Sequence, residues 1–348
     1  MNKLTKVGLS ALCGSLATIS AANAGEMTVT GGVDMSWVSL GGGSSTTGNP
    51  IGMGSNLTFK GDGELDNGWT FGLTVAMLNQ DAYSNTVINL DMGALGSLNF
   101  NQGDSGNGID ALDDKMPTAW EEPWGNALGT GVQLVRGVGP ESNVQYKSPT
   151  FAGTYITVAH AWDMGSGNVN DKGASGQGTG STGSGYDATL NMNPSLGTEI
   201  LSGLNMYIGA HSTSESQQSL NDRYEGVGGV TYDIGPVSLG YAVSGISTGK
   251  SAASAVDYYK NHMFGVSFNV NDDLSISYGE HDSQQGFVNM TDNESVKMDM
   301  ESWQIAYTMG GASFRYAMTE VNNAAYQTAP SEGTYDKEAN VISVSLAF

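Results

Sequence analysis

The chain has 348 residues, with 35 acidic against 13 basic side chains, a formal net charge of −22, 39% hydrophobic residues, 50 glycines and a single cysteine. Such acidity argues against a phosphate backbone as partner, so no nucleic acid is expected, and the apolar content is low for a large packed core. Beyond the first segment no run approaches the roughly 18 apolar residues of a membrane helix.

Residues 1–24 carry Lys3 and Lys6, then a mostly apolar stretch from Val7 to Ile19, and end in Ala22-Asn23-Ala24. This is the pattern of a secretory signal peptide removed before Gly25. An anchoring helix fits less well, because the stretch is short and broken by Ser10, Gly14, Ser15 and Thr18. Cys13 lies within it, so the mature chain holds no thiol or disulfide. Losing Lys3 and Lys6 makes the formal charge of the remaining residues 25–348, read as one domain, about −24.

A period of two then recurs along the chain. Met27, Val29, Val33, Met35 and Trp37 alternate with polar or small residues, as do Leu57 and Phe59, and Trp69, Phe71, Leu73, Val75 and Met77. Ile88, Leu90 and Met92 lead through Gly93–Gly96 to Leu98 and Phe100. The second half repeats the pattern up to Asn340, Ile342, Val344, Leu346 and Phe348, which share one face of the last strand. These are hairpin ladders, not helical spacings.

About sixteen strands result, and their connections alternate in length. Short turns fall near 63–68, 93–96, 149–152, 193–199, 234–236, 271–273 and 310–311, with long polar connections between them. The expected fold class is all-β, a transmembrane antiparallel up-and-down β-barrel, with long loops at one rim and both termini at the other. A β-sandwich would mix its loop lengths, and a solenoid would show a fixed repeat. A closed sheet leaves no edge in lipid. Sixteen strands leave an interior too wide for side chains to fill, so the lumen should be wet.

The longest connection, 103–142, contains Asp104, Asp110, Asp113, Asp114, Glu121 and Glu122, with Trp120 and Trp124 beside the glutamates. A loop of that length usually does something. One reading folds it into the barrel as a constriction, its carboxylates facing the permeating solute; the other leaves it as a solvated surface loop. Alternation puts Lys60, Lys147, Arg223 and Arg315 on the lumen face, with Arg136 near the end of the loop. The same rule turns Asp34, Asp91 and Asp187 inward, so the lumen should tilt negative and favour cations. His160, His211, His262 and His281 lack metal-ligand spacing and read as rim or wall residues. No nucleophile–base pair is recognisable, so neither catalytic residues, metal nor cofactor are expected.

The turn and strand MGALGSLNFNQ (92–102), the long third loop and the stretch SNVQYKSPTFAGTYITVAHAW (142–162) resemble the Gram-negative general-diffusion porins. The resemblance covers the mature chain and implies a sixteen-stranded, trimeric outer-membrane channel for small hydrophilic solutes and ions. It also implies that Phe348 marks the barrel for the outer-membrane assembly machinery. In that family, acids of the third loop oppose a basic cluster across the lumen. Here the basic residues are scattered, a departure from that pattern. Kept beside this reading are a substrate-preferring channel and a structural or adhesive barrel without significant conductance.

Overall fold

The computed structural model describes residues 27–43, 48–79, 84–126, 128–139, 141–165, 183–194, 201–214, 221–290, 295–327 and 335–347. The expected signal peptide and Phe348 lie outside the described residues.

Among the described residues sixteen antiparallel strands close on themselves, each bonded to its sequence neighbours and the first to the last. The first five are β1 (Met27–Gly41), β2 (Ile51–Glu64), β3 (Thr70–Leu78), β4 (Asn85–Asp91) and β5 (Ser97–Gln102). After the long loop come β6 (Asn143–Lys147), β7 (Thr154–Ala161), β8 (Gly185–Met192), β9 (Leu204–Thr213), β10 (Arg223–Ile234) and β11 (Val237–Ser247). The wall is completed by β12 (Val256–Asn269), β13 (Leu274–Phe287), β14 (Val296–Met309), β15 (Ala312–Asn322) and β16 (Lys337–Ala347). Closure supplies partners for the ladder groups of every strand, the requirement that hydrocarbon imposes.

The alternation read from the sequence has its physical counterpart on the two faces. Trp37 is 52% exposed and Ile342 54%, both on the outer surface, while Val341 and Ser343 behind them are buried. Outward Met35, Leu73, Ile88, Ile208, Leu239, Ile305 and Leu346 form an apolar belt around the barrel. Tyr278 stacks near Trp303 with ring centroids 4.6 Å apart, part of the aromatic rim where such side chains meet the lipid interface.

Above that rim the outer face is asymmetric. Among the described outward positions, β1 to β11 carry no Asp, Glu, Lys or Arg, whereas β12 to β16 carry eight. Four glutamates, Glu280, Glu301, Glu320 and Glu338, stand directly opposite one another on β13 to β16. Like charges so placed repel and could not be held in hydrocarbon. This row therefore lies beyond the lipid belt, and Trp303, Tyr278 and Tyr316 below it mark where the belt ends.

Candidate functional site

The loop between β5 and β6 is seated inside the barrel. Its backbone N–H groups donate to lumen-facing side chains in sequence: Ile109 to Asp187, Ala119 to Ser277 at 2.8 Å, Trp120 and Glu121 to Gln304 at 3.0 Å. Lys337 donates to the carbonyls of Leu128 and Gly129, and Tyr326 accepts from Gln133 N. On the return, Arg136 and Gly137 donate to Glu225, and Val138 to Asp187. The loop thus runs out along the wall from β8 to β16 and back. Two short 3-10 turns, Asp110–Leu112 and Pro123–Gly125, give it local structure that the sequence reading did not expect.

Two features of the wall make this seat. Inward glycines Gly209, Gly240, Gly265 and Gly279 leave room for the loop: a Cβ on Gly265 would stand 2.8 Å from Pro117 O, and one on Gly209 2.7 Å from Ile109. Inward apolar residues then pack against it. Ile109, Leu112, Met116 and Val135 bury against Tyr207, Val227, Ala242, Ile246 and Met263. Leu128 packs with Met298, Met300, Val321 and Tyr326. These inward apolar positions are where the loop, not water, covers the wall. The inward face left open, on β1 to β4 and the lower part of β16, is richest in Thr, Ser and Asn.

The ends of the loop are held by carboxylates on one rung. Asp187, His211 and Glu225 are direct cross-strand neighbours on β8, β9 and β10. Asp187 accepts from Ile109 N at 2.8 Å, Val138 N at 3.1 Å and His211 Nδ1 at 2.5 Å. Glu225 accepts from Arg136 N at 2.6 Å, Gly137 N at 3.0 Å and Arg223 Nε at 2.6 Å. Gly108 and Gly137, both with positive φ, precede the Ile109 and Val138 donors. A side chain on either would strike Asp187, so only glycine lets the loop approach so closely. An amide network joins the loop's start to β4–β6: Asn99 Nδ2 to Asn89, Asn107 Nδ2 to Asn99 and to Asn143, each at 2.8–2.9 Å.

Of the expected lumenal acids, Asp187 points inward, and at 2% exposure it lies beneath the loop as a clamp, out of direct contact with solutes. Asp34 is bound by Arg315 at 2.7 Å and by Ser343. Asp91 is exposed at the short-turn end and caps the turn through Gly93 N.

The loop acids also divide. Glu122, expected to face the solute, is 4% exposed. Burial first, and Asp114 beside it, push its carboxyl up to about 10, so it is neutral near pH 7. Asp110 is half-buried and pushed up to about 8, mainly by burial and then by Asp113, against the pull of Arg136. Asp113 rises to about 7 by burial and the neighbouring Asp114. Glu121 is raised by burial and Asp114, with Arg315 opposing. Asp114 is exposed.

Apart from Arg136 and Arg223, which share a recess with Glu141 and Glu225, the expected basic residues lie apart. Arg315 pairs with Asp34 and lies 5.1 Å from the Trp120 ring centroid, and Arg223 is held by Glu225. Lys147 lies over the Tyr155 ring at 4.0 Å, and Lys60 and Arg136 are exposed. His211 and His281 are buried on the lumen face; His160 and His262 point outward. Among the described residues no cluster of His, Cys, Asp and Glu is arranged to hold a metal ion.

Known proteins share this architecture. The anion-selective porin from Comamonas acidovorans is similar in fold with a TM-score of 0.65 at 13% identity, covering 92% of this chain and 99% of its own. Salmonella typhi OmpF, solved in complex with daunomycin, has a TM-score of 0.65 at 12% identity, covering 94% and 99%. Vibrio cholerae OmpT in its trimer form has 0.62 at 10%, covering 93% and 100%. No curated protein sequence matches the chain. The sequence profile described as Gram-negative porin, however, matches residues 8–311. The chain therefore belongs to the Gram-negative porin family and forms an outer-membrane diffusion channel.

Proposed function

We propose that ions and small hydrophilic solutes pass between the seated loop and the bare polar wall, with cations favoured over anions. The supporting observation is an imbalance of unpaired charge. Lumen-facing Arg315 and Arg223 are each neutralised by a carboxylate. Against Lys60, Lys115, Arg136 and Lys147, which have no ion pair among the described residues, stand Asp110, Asp113, Asp114, Glu121 and Glu141 on the loop and Asp62, Glu64, Asp91 and Asp233 toward the short-turn mouth. Carboxylates lining a narrow aqueous path raise the local cation concentration and repel anions. The sign is a property of the lining, since a similar barrel in Comamonas acidovorans is anion-selective. In planar bilayers under a KCl gradient, the reversal potential should carry the sign of the cation; a value on the anion side would end this reading.

We further propose a homotrimer, as in the trimer form of the Vibrio cholerae protein that shares the fold. Chemical cross-linking in mild detergent should give a ladder ending at three chains; a monomer alone would remove the idea.

A further inference from the structure

Positive charge is scarce in this lumen, yet two lysines line one recess. The recess, of about 160 Å³, lies between the start of the loop and the wall of β6 to β8. Lys115 comes from the loop and Lys147 from the end of β6; Gln145, Tyr155, Thr157, Thr189 and Asn191 complete its polar lining. No carboxylate lines it, although acids outnumber bases 35 to 13 in the chain. Two other recesses that hold two cations also contain acids: Glu141 and Glu225 beside Arg136 and Arg223, and Glu280 and Asp282 beside Lys260 and Lys297.

The lining is also built. Lys147 Nζ rests over the Tyr155 ring at 4.0 Å, which fixes the long side chain and shields one side of the ammonium from water. Thr157 and Thr189 are joined at 2.7 Å, and Asn191 donates to Thr189 at 3.0 Å, so the floor is already ordered. Gln145 accepts from Gly108 N, which ties the loop to this wall. Among the described residues neither lysine is within ion-pair distance of a carboxylate. Asp113 is the acid that acts on Lys115 from nearby.

We propose that this recess is a binding subsite for a small oxyanion, a carboxylate or phosphate, held between Lys115 and Lys147. Lys147 ends β6 and Tyr155 lies at the start of β7, so the subsite faces the short-turn, periplasmic mouth. There it would retain an anion that the rest of the lumen repels, so that one class of negatively charged solute passes against the general preference. The inference rests on the channel reading.

The test uses the full mature protein in planar bilayers in KCl, with inorganic phosphate or succinate added on the periplasmic side. Either anion should cause concentration-dependent current block in the wild type, weakened by raising KCl. The variant K115M/K147M should bind at least about tenfold more weakly, the size of one lost charge-assisted contact. The single variant K147R should retain block, and K250M, altered in the loop after β11, should behave as wild type. Block by succinate alone would assign the site to carboxylates, and block by phosphate alone to phosphate. Block that persists in K115M/K147M, or is absent with both anions from a normally conducting wild type, would overturn the subsite. Absence of conductance altogether would instead overturn the channel. Heat-resistant migration in SDS gels checks that each variant is folded.

Discussion

Replacing Asp187 and Glu225 together by alanine should release the loop from its seat and raise single-channel conductance, with larger current noise. Each carboxylate takes two loop N–H groups as well as a wall cation or imidazole. Hydrogen bonds to a charged acceptor contribute about 1.5–3 kcal/mol each, so each clamp contributes about 3 kcal/mol or more to docking. Water entering the vacated space returns part of that, which is why both clamps must go. The barrel should survive, because its ladder does not depend on these side chains. Asp187→Asn is the graded control: it keeps the volume but turns an amide donor toward loop N–H groups. Conductance and noise unchanged in the double variant would mean that the apolar contacts alone hold the loop.

The second large effect is on pH dependence. Burial drives the Asp113 and Asp110 carboxyls up to about 7 and about 8, so the loop gains negative charge as pH rises through that range. Cation preference should strengthen between about pH 6 and pH 9, and Asp110→Asn with Asp113→Asn should flatten the rise. Docking has the opposite trend. The folded loop prefers these groups protonated, so their contribution is fully present below the ordinary aspartate range near 3.8 and is lost as pH climbs through 7 to 8. Current noise should therefore grow alongside selectivity. Wild-type selectivity that stays flat across this range would contradict the assignment of raised carboxyls.

The barrel was readable because lipid and water impose opposite demands on alternate residues, and Trp37, Ile342 and Ser343 obey them. In the cross-strand register Lys60, Lys147, Arg223, Arg315, Asp34 and Asp187 share the face opposite Trp37 and Ile342. What alternation could not give was depth beneath the loop. Asp187 and Glu122 are acids in the sequence, yet one is a clamp and the other is neutralised by burial, because contacts distant in sequence decide their solvation. A signal for the seat was present: Met263, Met298 and Met300 stand at inward positions where a wet wall would be polar, and Gly240, Gly265 and Gly279 form a row beside them. Inward apolar residues next to inward glycines are the mark of a wall covered from inside. The outward row from Glu280 to Glu338 is defined by cross-strand register, which alternation along a single strand does not carry.

The most direct test places a single cysteine on the loop. Asp114→Cys, in a mature chain expected to have no other thiol, offers one reactive group at an exposed loop acid. Open-channel current should fall in discrete steps as a bulky, membrane-impermeant thiol reagent reacts from the aqueous phase, one step per barrel. Complete labelling with no change in current would show that the loop does not narrow the path that ions take.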